Sequence, residues 1–151
     1  MYQRILVPVD GSSASRRGLT EAIKLAKGLN ATVRILHVVD EFVTDMAVGP
    51  TPYYEQWVEA LREGGRTTLN EELKFAKSQG AEPEPVLIDT VGRRASDVII
   101  EQAKEWPADL IVMGTHGRRG VRRLLMGSDA ELVVRQSPVP VLLVREEPEE
   151  S

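Results

Sequence analysis

The sequence predicts an α/β fold: a single open, twisted sheet of five parallel strands with helices on both faces. Three observations carry this. Five short apolar runs recur along the 151 residues, separated by segments whose apolar residues return at helical spacing. The runs are nearly continuous in apolar character, as expected of parallel strands covered on both faces. Right-handed crossovers between them then give an open α/β sheet. At this length the chain buries a proper core as one domain.

The elements follow in order. Ile5-Leu6-Val7-Pro8-Val9 is the first strand, ending at Asp10. Ser12 and Ser13 are placed to cap the next helix, where Leu19, Ala22, Ile23, Ala26 and Leu29 recur on one side. Val33-Arg34-Ile35-Leu36-His37-Val38-Val39 is the second strand. A connection containing Gly49, Pro50 and Pro52 leads to a long helix over about residues 53–78, closed by Gly80. Gly64-Gly65 interrupts that helix and is expected to weaken or bend it. Pro85-Val86-Leu87-Ile88-Asp89 is the third strand, and residues 94–105 form a helix with Ala95, Val98, Ile99 and Ala103 on one face. Leu110-Ile111-Val112-Met113 is the fourth strand. Ser128-Asp129-Ala130-Glu131 has capping-box spacing and opens the last helix, with Val133 and Val134 on its apolar side. Pro138 and Pro140 end it, and Val141-Leu142-Leu143-Val144 is the fifth strand.

Composition excludes several functions. Cysteine is absent, so disulfides, thiol catalysis and thiolate metal sites are excluded. A net charge of -4 argues against a nucleic-acid binder. No apolar stretch approaches the roughly 18 residues of a membrane helix, and the first residues lack a signal-peptide pattern. A soluble, cytoplasmic protein without membrane insertion is the expectation. Residues 146–151 are acidic and poor in apolar residues, and read as a frayed tail beyond a domain of residues 1–145.

The candidate site lies after the fourth strand. Gly114-Thr115-His116-Gly117 is followed, nine residues on, by Gly127-Ser128 at the start of a helical run. Glycines permit tight turns and close backbone approach, and a helix N-terminus offers unpaired N–H groups to an anion. The pattern points to a phosphate cradle at the C-terminal edge of the sheet. It is neither a Walker A loop, since GxxxxGK[ST] is missing, nor a dinucleotide fingerprint, since Asp10-Gly11-Ser12-Ser13 carries one glycine. Arg118, Arg119, Arg122 and Arg123 cluster within the loop. They read either as a solvated loop face or as cations that steer or clamp a polyphosphate.

With these residues in hand, the chain resembles single-domain universal stress proteins, in the subclass with the nucleotide-binding G-2x-G-9x-G-[S/T] motif. Gly114, Gly117, Gly127 and Ser128 match that motif. The segments from Ile5 to Asp10, His37 to Asp40 and Pro138 to Val144 match as well. The resemblance implies a Rossmann-like sheet in the order 3-2-1-4-5, of the adenine nucleotide alpha hydrolase type. It also implies a homodimer through strand five, about Val141 to Val144, and ATP across the C-terminal strand ends. Pro8 and Val9 would line the cleft, Asp10 would lie near the ribose or phosphates, and the Val38 backbone would bond to adenine. Gly114 and Gly117 would let the chain pass close to the nucleotide. Gly127 and Ser128 would hold the phosphates, with a divalent ion, Mg or Mn, bridging them. ADP or AMP could take the place of ATP. Met113, His116 and Arg118 complete the candidate set.

Plainer roles stand beside these. Asp10 would cap the first helix or face solvent; beside phosphates, a carboxylate needs the ribose or a cation. Ser128 as N-cap would accept from the N–H of Glu131 while its hydroxyl contacts phosphate. His37 reads as packed or hydrogen-bonded, His116 as shaping the loop, and Met113 as core. The two histidines lack the further ligands a metal site needs. Trp57 and Trp106 fit helix packing or an exposed helix edge. No residue stands out as a water-activating base, so rapid turnover is not implied, although slow ATP hydrolysis is compatible. The reading is an ATP-binding stress-response or regulatory protein, with an unidentified protein partner. The alternatives are a slow hydrolase or phosphotransferase, and a nucleotide-independent dimeric interaction module.

Overall fold

The computed structural model describes residues 1–39, 53–90, 92–115 and 126–146. Within them run β1 (Arg4–Pro8), α1 (Ser13–Leu29), β2 (Thr32–Val39), α2 (Tyr54–Ser78), β3 (Glu84–Asp89), α3 (Ala95–Glu105), β4 (Leu110–Gly114), α4 (Ser128–Gln136) and β5 (Val141–Val144). The strands form one sheet in the order β3-β2-β1-β4-β5, and every pairing is parallel. Fold class and strand order agree with the expectation.

Strand side chains alternate between two apolar layers. Ile5, Val7, Val33, Ile35, Leu110 and Val112 pack with Leu19, Ala22, Ile23 and Ala26 of α1 and Leu69 and Ala76 of α2. Leu6, Leu36, Ile111 and Met113 pack on the other face with Ile99 and Ala103 of α3 and Ala130 and Val133 of α4. Each fully buried Leu or Ile contributes roughly 1.5–3 kcal/mol. Both faces are therefore covered, which is why the strands read as unbroken apolar runs.

Several local expectations need correction. The helix through Gly64-Gly65 is continuous. A Cβ on Gly65 would stand 2.8 Å from Val39 Cγ2 and 3.2 Å from His37 Cδ2. That glycine serves the close seating of α2 on β2, and the loss of helix propensity is offset by packing. Val134 is 43% exposed, so the apolar side of α4 is Ala130 and Val133. Boundaries shift by a residue: β1 begins at Arg4, whose partner is Thr32, because ladder bonds do not require apolar side chains.

α1 and α2 are clamped together by charge. Arg16 Nε lies 3.2 and 3.0 Å from the two carboxylate oxygens of Glu72, and its Nη2 lies 2.8 Å from Oε1. Glu72 is buried, and the same guanidinium stacks 4.1 Å over the Phe75 ring. A buried carboxylate requires such a partner. On the opposite face Arg34 covers the Trp106 ring at 4.5 Å, while Trp57 is 42% exposed on α2.

Candidate functional site

The strand order reverses at β1, with β2 on one side and β4 on the other. A ligand crevice in an open parallel sheet opens beyond the strand ends at such a point. Two strand-to-helix turns meet there.

The first is the turn from β1 to α1. Val9 is buried; its N–H donates to Leu36 O at 2.8 Å. Its carbonyl lies 2.7 Å from His37 Nδ1. A carbonyl only accepts, so Nδ1 carries the proton. His37 is therefore hydrogen-bonded, as expected, and it fixes the exit of β1. Gly11 adopts φ +83°, a left-handed conformation that favours glycine. Around it the Ser12 N–H donates to Asp10 Oδ1 at 2.9 Å, and the Asp10 N–H to Ser15 Oγ at 3.2 Å. The Ser15 N–H donates to Ser12 Oγ at 3.1 Å. Ser12 is thus the N-cap of α1, and Ser13 is its first helical residue. The Asp10 carboxylate takes part in a tight turn.

The second is the turn from β4 to α4. Thr115 N–H donates to Val144 O at 3.1 Å, and Gly127 N–H donates to Thr115 O at 2.7 Å. Thr115 and Gly127 are therefore held side by side. His116, Gly117, Arg118 and the other three arginines of the cluster lie outside the described residues. Gly127 is the N-cap of α4, at φ -61° and ψ 153°, and its carbonyl accepts from Glu131 N–H at 3.0 Å. This corrects the placement of Ser128: it is the first helical residue and exposed, one position past the cap. The S-x-x-E spacing is present but displaced by one, because the extended backbone ends at Gly127.

Gly114 joins the two turns. A Cβ there would stand 2.6 Å from Ala14 C, 2.7 Å from Ala14 O and 2.9 Å from Ser15 N. Gly18, one turn along α1, faces Gly114 N and Met113 C at 3.2 Å from its own would-be Cβ. The end of β4 therefore lies directly on the first turn of α1. Met113 is buried in the core. Pro8 and Val38 are half-buried near the ends of β1 and β2. The structure thus brings Asp10, Gly114 and Gly127 into one contiguous junction and leaves Val38 on β2, the neighbour of β1 on the side away from β4.

Sequence reasoning missed Ser15 and Gly18. Ser15 stands three residues after the cap, where a side chain reaches back toward the preceding turn. That spacing was a readable signal. Gly18 gave none, since its role depends on β4. Among the described residues, Ser96 Oγ in α3 is the buried side-chain polar atom without a hydrogen-bond partner. No group of three or more His, Asp or Glu able to hold a metal occurs among the described residues, and no described helix is long and apolar enough to cross a membrane.

The model of the universal stress protein family matches residues 1–145. The chain belongs to that family. Universal stress protein MJ0531 of Methanocaldococcus jannaschii is 37% identical over 147 residues, covering 96% of this chain and 83% of the relative. Among solved structures, universal stress protein UspA from Lactobacillus plantarum superposes with a TM-score of 0.79 at 27% identity, covering 95% of this chain and 98% of that one. The family member from Archaeoglobus fulgidus solved in complex with dAMP gives a TM-score of 0.66 at 27% identity, with 95% and 98% coverage. A universal stress protein in complex with cAMP gives 0.66 at 27% identity, with 97% and 98% coverage. Some universal stress proteins thus bind adenine nucleotides, and similarity to them associates this chain with nucleotides and stress response in general terms.

Proposed function

We propose that this universal stress protein binds ATP across the C-terminal ends of β2, β1 and β4, and works as a nucleotide-dependent stress-response regulator. One observation carries the reading. The helix that follows β4 starts from a glycine cap hydrogen-bonded to Thr115, the residue after the Gly114 that abuts the first turn of α1. The solved relatives with dAMP and cAMP support an adenine nucleotide as the ligand class.

The roles proposed for the residues are those the family resemblance implies. The first amides of α4 and the Ser128 hydroxyl receive the phosphates, helped by the helix dipole. Pro8 and Val9 line the cleft, Asp10 meets the ribose or a cation, and the Val38 backbone meets adenine. Met113 backs the cleft from the core, and His116, Gly117 and Arg118 supply the loop. Asp10 is an acidic side chain at the junction that could hold a Mg or Mn ion, whose other ligands would come from phosphate and water, as is common for Mg. Binding shifts a conformational population and with it partner affinity. Rapid hydrolysis is not part of the proposal. β5 is a four-residue edge strand with Leu142 39% exposed. An edge of that kind supports pairing with a second copy.

The test is the nucleotide content of the purified protein, followed by titration of ATP, ADP and AMP into stripped protein with and without magnesium. Stoichiometric adenine nucleotide, with affinity lost in Gly127→Val and the fold retained, is the expected result. A folded protein with no saturable binding sinks the reading and leaves the interaction module as the better account.

A further inference from the structure

We infer that Glu146 sets the phosphate count the site favours, lowering affinity for ATP relative to AMP; this rests on the nucleotide reading above. Beyond Val144 the chain turns over α1 and is held twice. Arg17 Nε donates to the Arg145 carbonyl at 2.9 Å, and the Ser13 hydroxyl donates to Glu146 Oε1. A residue expected to begin a frayed tail is therefore fastened to the first turn of α1. A carboxylate is favoured at that end of a helix.

The position matters because of what Ser13 adjoins. The next residue, Ala14, is the one whose carbonyl a Cβ on Gly114 would strike. Gly114 leads to Thr115, whose own carbonyl holds Gly127. Along the sheet the order is β2, β1, β4, β5. With the base at β2 and the phosphates at α4, each added phosphate extends from β1 toward the exit of β5, where Glu146 is fixed. A negative charge there repels a triphosphate more than a monophosphate, and the difference falls with salt.

The experiment titrates AMP and ATP, without divalent ions, into the full-length protein and its Glu146→Gln and Ser13→Ala variants. Glu146→Gln is expected to tighten ATP by about threefold at low ionic strength while moving AMP less, and the gain is expected to shrink at high salt. Ser13→Ala keeps the charge but frees it, and is expected to give a smaller gain in the same direction. An unchanged ATP-to-AMP ratio in folded Glu146→Gln, or weaker ATP binding, overturns this inference alone. Absence of binding by either nucleotide to the parent protein overturns the nucleotide reading and this inference with it.

Discussion

The helices that follow β1 and β4 start from almost the same backbone and finish their first turns differently. Ser12 caps α1 at φ -75° and ψ 162°; Gly127 caps α4 at φ -61° and ψ 153°. At α1 the cap side chain accepts an amide, the Asp10 carboxylate accepts another, and Ser15 anchors the turn from within. At α4 the cap has no side chain to do so. Neither conformation requires glycine, since both lie in the extended region open to any residue. α1 is thus finished by its own side chains, whereas α4 keeps a first turn that an anion can complete. One side of the crevice is closed by its own side chains, and the proposal assigns the other to the phosphates.

The junction between the two sides gives the largest expected effect. Gly114→Ala places a methyl 2.6 Å from the Ala14 carbonyl carbon, and backbone must move to admit it. Destabilisation of about 3 kcal/mol is expected, at the upper end for overpacking. It would appear as a lower denaturant midpoint at unchanged slope. A loss below about 0.5 kcal/mol would mean that the turns slide freely against each other, and the comparison would lose its frame. Next in size is Ser12→Ala. It removes the cap of α1 and is expected to cost about 1 kcal/mol, measured the same way, with nucleotide affinity changing far less than in variants of Gly127.

Much of this was legible in the sequence, for identifiable reasons. Two-sided burial leaves unbroken apolar runs, so the five strands declared themselves; their order came from the family resemblance, because periodicity holds no neighbour information. Ser12, together with Ser13, was readable as a cap because a serine before an amphipathic run can accept an amide of the first turn. The same logic misplaced Ser128 by one residue: it favoured the side chain able to cap over the glycine where the backbone bends. Gly65 read as a helix breaker because its reason is Val39 and His37, a strand away in sequence. Gly18 and Glu146 share that cause. Their partners lie in turns brought together only by the sheet, and nothing local marks them.

The smallest expected change in stability is also the sharpest test of the comparison. Gly127→Ser would give α4 the cap that α1 already has, on a backbone that differs from the Ser12 cap by 14° in φ and 9° in ψ. Replacing glycine by serine at an N-cap is worth a few tenths of a kcal/mol, so the melting temperature should rise by roughly a degree for a domain of this size. The new hydroxyl oxygen would then accept an amide that the proposal assigns to phosphate. A stabilised protein with ATP affinity reduced about tenfold would show that the two interactions compete for one set of donors. If the protein is stabilised and ATP binds unchanged, the amides of α4 are not the cradle, and the asymmetry of the two helix starts needs another cause. The substitution separates the two sides because it transfers the solution used at α1 to α4. Its stability and its binding readouts should then move in opposite directions, which a merely structural glycine would not allow.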